Sequence, residues 1–126
     1  MSVTKRFIPS PGQDNTLRTV TQDAQAPAYA ASLTIVTTAD RTIITPAPLT
    51  GAQTLNLSVG SSTTAPFVGD EVEILYAATG GPFTVTAGTG AAVTATTLVV
   101  GTNKYASIKF RFNGTIWQET DRAVTI

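Results

Sequence analysis

The sequence predicts an all-β domain, an antiparallel β-sandwich or small barrel of about eight strands behind an extended N-terminal arm. Three observations carry that expectation. Between Lys104 and Glu119, the residues Ala106, Ile108, Phe110 and Phe112 alternate with Tyr105, Ser107, Lys109 and Arg111. One face of that segment is apolar and the other polar, the period of a half-buried strand. Asn113-Gly114 follows, two residues that tolerate the positive φ angles of a type I′ hairpin. A two-residue loop would set Phe112 opposite Thr115 and Phe110 opposite Trp117, stacking the only tryptophan on a phenylalanine. Thirdly, threonine makes up roughly a fifth of the chain, and its branched Cβ suits a pleated surface.

Taken in order, residues 1–28 form the arm. Pro9, Pro11, Gly12 and Pro27 are mixed there with Gln13, Asp14, Asn15, Gln22, Asp23 and Gln25, and large apolar residues are few. Such a segment buries too little to offset the ordering of its backbone, although Thr16–Val20 reads as a short ordered piece. Lys5 and Arg6 followed by Phe7 and Ile8 read as an anchor for a partner, with an idle tail as the other reading.

The β domain, residues 29–126, then runs strand after strand. Ser32–Thr38 and Arg41–Thr45 come first, the second halted by Pro46 and Pro48. Thr54–Val59 alternates Leu55, Leu57 and Val59 with polar neighbours, and the Ser/Thr-rich loop Gly60–Gly69 follows. Asp70–Tyr76 places Val72, Ile74 and Tyr76 on one face and Glu71, Glu73 and Leu75 on the other. Turns at Gly80-Gly81-Pro82 and Gly88-Thr89-Gly90 bracket Phe83–Ala87. Val93–Val100 and Lys104–Gly114 lead into the closing hairpin, and Val124 and Ile126 add a last pairing. No segment of helical period is long enough to assign. No repeat of fixed length appears, which argues against a solenoid or propeller.

Composition narrows the function. A chain of 126 residues fits one domain. Charged residues reach only 13%, about half the usual share, and the eight basic and eight acidic residues cancel. A surface of neutral Thr, Ala and Ser suits packing in an assembly, or alternatively a threonine-rich secreted domain. With no net positive charge there is no strip for nucleic acid. Neither a secretory signal nor a membrane-spanning stretch is expected. The absence of Cys leaves the redox compartment open.

Chemistry is sparse. Without His or Cys, the commonest general base, the thiolate nucleophile and most transition-metal sites are missing. Glu71 and Glu73 share a strand face and would meet the spacing of a carboxylate pair loosely, but they read better as solvent-face charges. Asp14, Asn15 and Asp23 are too scattered for calcium, and Gly88-Thr89-Gly90 lacks the lysine of a phosphate loop. Lys104, Lys109 and Arg111 read as a solvated face or a subunit contact. No catalytic residue, metal or cofactor is assigned, and the chain is not expected to be an enzyme.

The run Gly69-Asp70-Glu71-Val72-Glu73-Ile74-Leu75, a Gly-rich turn, and then Asn103-Lys-Tyr-Ala-Ser-Ile-Lys-Phe-Arg-Phe-Asn-Gly-Thr-Ile-Trp117 resembles a pattern in small virion proteins and fibre modules of tailed bacteriophages. With weaker upstream strands the resemblance spans Thr42 to Glu119. It implies a head decoration, cement or head-fibre protein, commonly trimeric, that binds the major capsid protein or another virion protein on the outer capsid surface. Such a protein is assembled in the host cytoplasm and resides in the virion. The arm has no counterpart in the pattern, so Lys5, Arg6, Phe7 and Ile8 are assigned to partner binding from their own composition. The alternative is a carbohydrate-binding or tail-fibre adhesion module using Trp117, Tyr76 or Tyr105 as a stacking platform, although hairpin geometry favours a buried indole.

Overall fold

A computed structural model describes residues 4–8, 18–60, 65–93 and 97–125, with the backbone alone at 4–8 and 18–20. These residues form eleven strands and, among the described residues, no helix. One sheet has seven strands in the order β1 (Thr4–Ile8), β2 (Arg18–Gln25), β4 (Arg41–Ile44), β6 (Glu71–Ala77), β10 (Tyr105–Phe112), β11 (Trp117–Val124), β8 (Ala91–Ala92). The other has four, in the order β3 (Ser32–Ile35), β5 (Gln53–Leu57), β7 (Phe83–Ala87), β9 (Thr97–Val100).

The expected antiparallel character needs correction, because both sheets are mixed. β2, β4 and β6 run parallel, as do β3, β5 and β7. From β2 to β9 the chain passes from one sheet to the other at every strand, so each of these parallel neighbours is joined through a strand of the facing sheet. Parallel neighbours need a long crossover, and here a strand does what a helix usually does. The result is a short solenoid-like winding, which the lack of a fixed repeat had argued against. Its coils are unequal: partners lie 19 residues apart from Gln22 to Arg41 but 30 from Arg41 to Glu71. An alternating pattern says which face of a strand is buried, not which way its neighbour runs.

The two sheets contribute to one hydrophobic cluster. Leu33, Ile35, Leu55, Leu57, Val85, Leu98 and Val100 come from the smaller sheet, against Ile44, Ile74, Tyr76, Ile108, Phe110 and Trp117 of the larger. The expected inward faces of β6 and β10 are the buried ones. One polar bridge crosses this core: the Tyr76 hydroxyl donates to Gln53 Oε1 (2.9 Å), and Gln53 Nε2 donates to the Ala30 carbonyl (3.0 Å).

The closing hairpin differs from the two-residue loop. Phe112 pairs with Trp117 and Phe110 with Glu119, leaving Asn113–Ile116 as the loop. Asn113 Oδ1 accepts the backbone N–H groups of Thr115 (3.0 Å) and Ile116 (2.9 Å), and only Gly114 takes a positive φ (103°). Side-chain capture of the backbone replaces the type I′ geometry. The shift is two residues, so Trp117 keeps its inward face. It is fully buried beside Phe112, with ring centroids 5.3 Å apart, and its Nε1–H donates to the Ser58 carbonyl (3.0 Å). Gly90 sits where β5 and β11 converge: a Cβ there would collide with the Leu57 carbonyl oxygen, and φ is 79°.

Candidate functional site

The segment expected to be an extended arm contributes two strands. Lys5, Arg6, Phe7 and Ile8 lie in β1, their backbone paired antiparallel with β2 from Lys5–Thr21 to Ile8–Arg18; their side chains lie outside the described residues. β2 in turn pairs with β4. Its inward positions are Thr21, Asp23 and Gln25, which gave no apolar alternation to read. Polar contacts hold it instead. Thr21 N–H donates to Asp40 Oδ2 (3.1 Å), Asp40 N–H to Thr21 Oγ1 (3.0 Å), and Gln25 Nε2 to the Val36 carbonyl (3.0 Å). Asp23 Oδ1 and Thr42 Oγ1, register partners across β2 and β4, are buried without a hydrogen bond among the described residues. β1 is the last strand of its sheet, and among the described residues no strand pairs with its outer edge.

Beside β2 opens a cleft of about 340 Å³ lined by Thr21, Thr37, Thr38, Asp40, Phe67 and Asp70, among others. Asp70 shapes its rim. The carboxylate accepts Phe67 N–H (2.9 Å), while Asp70 N–H returns to the Phe67 carbonyl (3.0 Å). These two bonds close the turn that leads into β6. Burial raises the Asp70 carboxyl above the usual carboxylate value, the Phe67 N–H opposes that, and the Asp40 charge adds to it. The turn leaves Phe67 and Val68 largely exposed, at 76% and 74%.

The carboxylates singled out in the sequence are each engaged across the sheet. Glu71 faces Arg111 across β6 and β10 at 2.8 Å, and Glu73 faces Lys109 at 3.6 Å. Each acid is matched by a cation directly opposite, a cross-strand ladder on the exposed face. Of the three aromatic platforms, Trp117 and Tyr76 are buried in the core, which removes them from contact with any glycan. Burial also raises the Tyr76 phenol well above its usual value. Tyr105 alone is open, at 68%, on the rim of a groove of about 440 Å³. Its lining includes Pro46, Pro48, Leu75, Ala77, Ser107 and Ala123.

Sequence reasoning missed one buried ion pair. A bulge between Lys109 and Phe110 in the β10–β11 register makes Ile108 face Arg122 while Phe110 faces Glu119. Without it, strict alternation would put Asp121 on the inner side. With it, Arg122 forks onto buried Glu119, Nε to Oε2 at 2.6 Å and Nη2 to Oε1 at 2.7 Å. Its Nη1 donates to the Thr97 carbonyl of β9 (2.9 Å), tying the two sheets together. The hydrogen bonds to Glu119 raise the guanidinium pKa, against the effect of burial. Among the described residues no group of three or more His, Cys, Asp or Glu could hold a metal ion. No family model matches the chain, and no curated protein matches it.

Proposed function

We propose that this chain is a structural protein of a bacteriophage virion, a capsid decoration or head-fibre protein built as a β-sandwich and bound to the outer capsid surface as a homotrimer. One observation carries the reading. The runs that resemble phage virion modules, Gly69–Leu75 and Asn103–Trp117, fold as one contiguous unit. They supply β6, β10 and the start of β11, neighbours at the heart of the larger sheet. The resemblance therefore falls on a folding unit and not on scattered positions. A second support is the outward face of the smaller sheet, where Ser32, Thr34, Thr54, Asn56, Thr84 and Thr86 present neutral side chains without a charge among them.

Attachment to the capsid is assigned to Lys5, Arg6, Phe7 and Ile8. As an edge strand, β1 can accept a strand of the major capsid protein by main-chain pairing. Mass spectrometry of purified virions from the phage that carries this gene should find the chain at stoichiometric abundance. Co-sedimentation with capsids should be lost when residues 1–8 are removed. A chain missing from virions, or one that binds capsids equally well without those residues, would contradict the reading. Tyr105 keeps the glycan alternative within reach of the same assay, because attachment competed by free sugars would favour adhesion.

A further inference from the structure

Asn56, Asn103 and Asn113 are the asparagines among the described residues, and they differ in the backbone that follows them. Asn56 precedes Leu57, whose N–H donates to the Thr89 carbonyl (2.9 Å). Asn103 precedes Lys104, whose N–H donates to the Gly101 carbonyl (3.0 Å). Asn113 precedes Gly114, whose N–H makes no hydrogen bond among the described residues. Asn113 and Gly114 are both exposed, so that nitrogen is open to water, and a glycine carries no side chain to crowd it.

The side chains differ as well. Asn56 is held at both ends, Nδ2 donating to Ser32 Oγ (3.1 Å) and Oδ1 accepting Thr89 N–H (2.9 Å), and Asn103 Oδ1 accepts Gly80 N–H (2.8 Å). Asn113 Oδ1 takes two donors, Thr115 N–H and Ile116 N–H, both from residues beyond Gly114. Its amide is therefore folded back along the loop, and the ring closed by the Thr115 bond contains the Asn113–Gly114 peptide bond. Two N–H groups at 3.0 and 2.9 Å from one carbonyl oxygen are also placed to stabilise negative charge that develops on it. Asn113 Nδ2 donates to nothing among the described residues, which leaves it free to depart.

We infer that Asn113 is a site of spontaneous deamidation, promoted by the closing loop itself. Hydroxide removes the proton of Gly114 N–H, and the nitrogen attacks Asn113 Cγ. A C–N bond forms, and the loop N–H groups meet the charge that moves onto Oδ1. The Cγ–Nδ2 bond then breaks. Nδ2 leaves as ammonia, taking a proton from water and regenerating hydroxide. Water opens the cyclic succinimide at either carbonyl, so the products are aspartate and isoaspartate. Aspartate keeps an acceptor for Thr115 and Ile116 and adds a charge that strengthens both bonds. Isoaspartate routes the backbone through Cβ, lengthening a loop that the Phe112–Trp117 pair closes.

Peptide mapping by mass spectrometry tests this on the full chain, stored at mildly alkaline pH beside a synthetic peptide of residues 109–118. Circular dichroism during storage shows that the chain measured is folded. Asn113 should lose ammonia and gain water, resolving into two products by chromatography, and the rate should rise with pH. It should convert at least as fast in the folded chain as in the peptide, while Asn56 and Asn103 stay intact. Slower conversion in the folded chain would mean that the two hydrogen bonds shield Asn113, which overturns the inference. So does a folded chain in which Asn56 or Asn103 converts first.

Discussion

Replacing Trp117 by alanine should be the most damaging single truncation in the core, and its cost can be worked from its surroundings. The indole is fully buried within the shared core of the two sheets. Truncating such an aromatic costs about 3–5 kcal/mol through lost transfer energy and the cavity that remains. Two features place Trp117 toward the upper end. It packs at a tilt against Phe112, with ring centroids 5.3 Å apart, and its Nε1–H is the donor to the Ser58 carbonyl, whose loss adds about 1 kcal/mol. With a urea m-value of roughly 2 kcal/mol/M, the unfolding midpoint should fall by about 2 M. Trp117 is the only tryptophan, so the transition has to be followed by far-ultraviolet circular dichroism, at fixed protein concentration so that association does not enter. A midpoint that moves by less than about 0.5 M with m unchanged would mean the indole packs against little, and the core argument would fail.

Two further changes probe the polar interior. Arg122→Ala should cost about 3–5 kcal/mol by leaving the Glu119 carboxylate buried without its guanidinium, while Glu119→Leu combined with Arg122→Met should cost far less; equal losses in denaturant titrations would show that the pair is not acting as a unit. Asp70→Asn keeps an acceptor for Phe67 N–H but removes a carboxyl whose folded-state pKa lies above its ordinary 3.8. A raised pKa means the fold holds the proton more tightly, so the contribution is present below 3.8 and is lost as pH rises through the folded value. Relative to the wild type, Asp70→Asn should therefore gain stability from acid toward neutral pH, and thermal midpoints showing the opposite trend would refute that sign.

The core was legible wherever a strand had one wet face. β6, β7 and β10 show alternation in the sequence, and their buried residues are the ones the pattern selects. Pairing direction was not legible, since period-2 alternation is the same beside a parallel or an antiparallel neighbour. β2 escaped because its inward positions are Thr21, Asp23 and Gln25, held by polar contacts that composition reads as loop. The Glu119–Arg122 pair escaped for a related reason. A bulge resets the alternation in β11, and nothing in Gln118-Glu119-Thr120-Asp121-Arg122 marks where it falls. The exposed Phe67-Val68 turn had a weak signal: two large apolar residues between Pro66 and Gly69, in a stretch otherwise read as a Ser/Thr loop.

The winding also accounts for the composition. In the parallel half of each sheet, coil stacks on coil at about 4.8 Å, so outward residues of successive strands stand in ranks. Ser32, Thr54 and Thr86 form one such rank, and Thr97 of the antiparallel strand β9 extends it to the edge of the smaller sheet. A charge in a rank lies within a few ångströms of the corresponding position on both neighbours, and like charges directly opposite are destabilising. Threonine escapes that repulsion while keeping strand geometry, and its methyl group packs on the next rung. Charge is instead concentrated on the larger sheet, where the antiparallel β6–β10 pair sets Glu71 against Arg111 and Glu73 against Lys109. There each charge meets its opposite. The low charge and high threonine content thus follow from how the chain is wound, and the neutral outer face of the smaller sheet is a consequence of the same constraint.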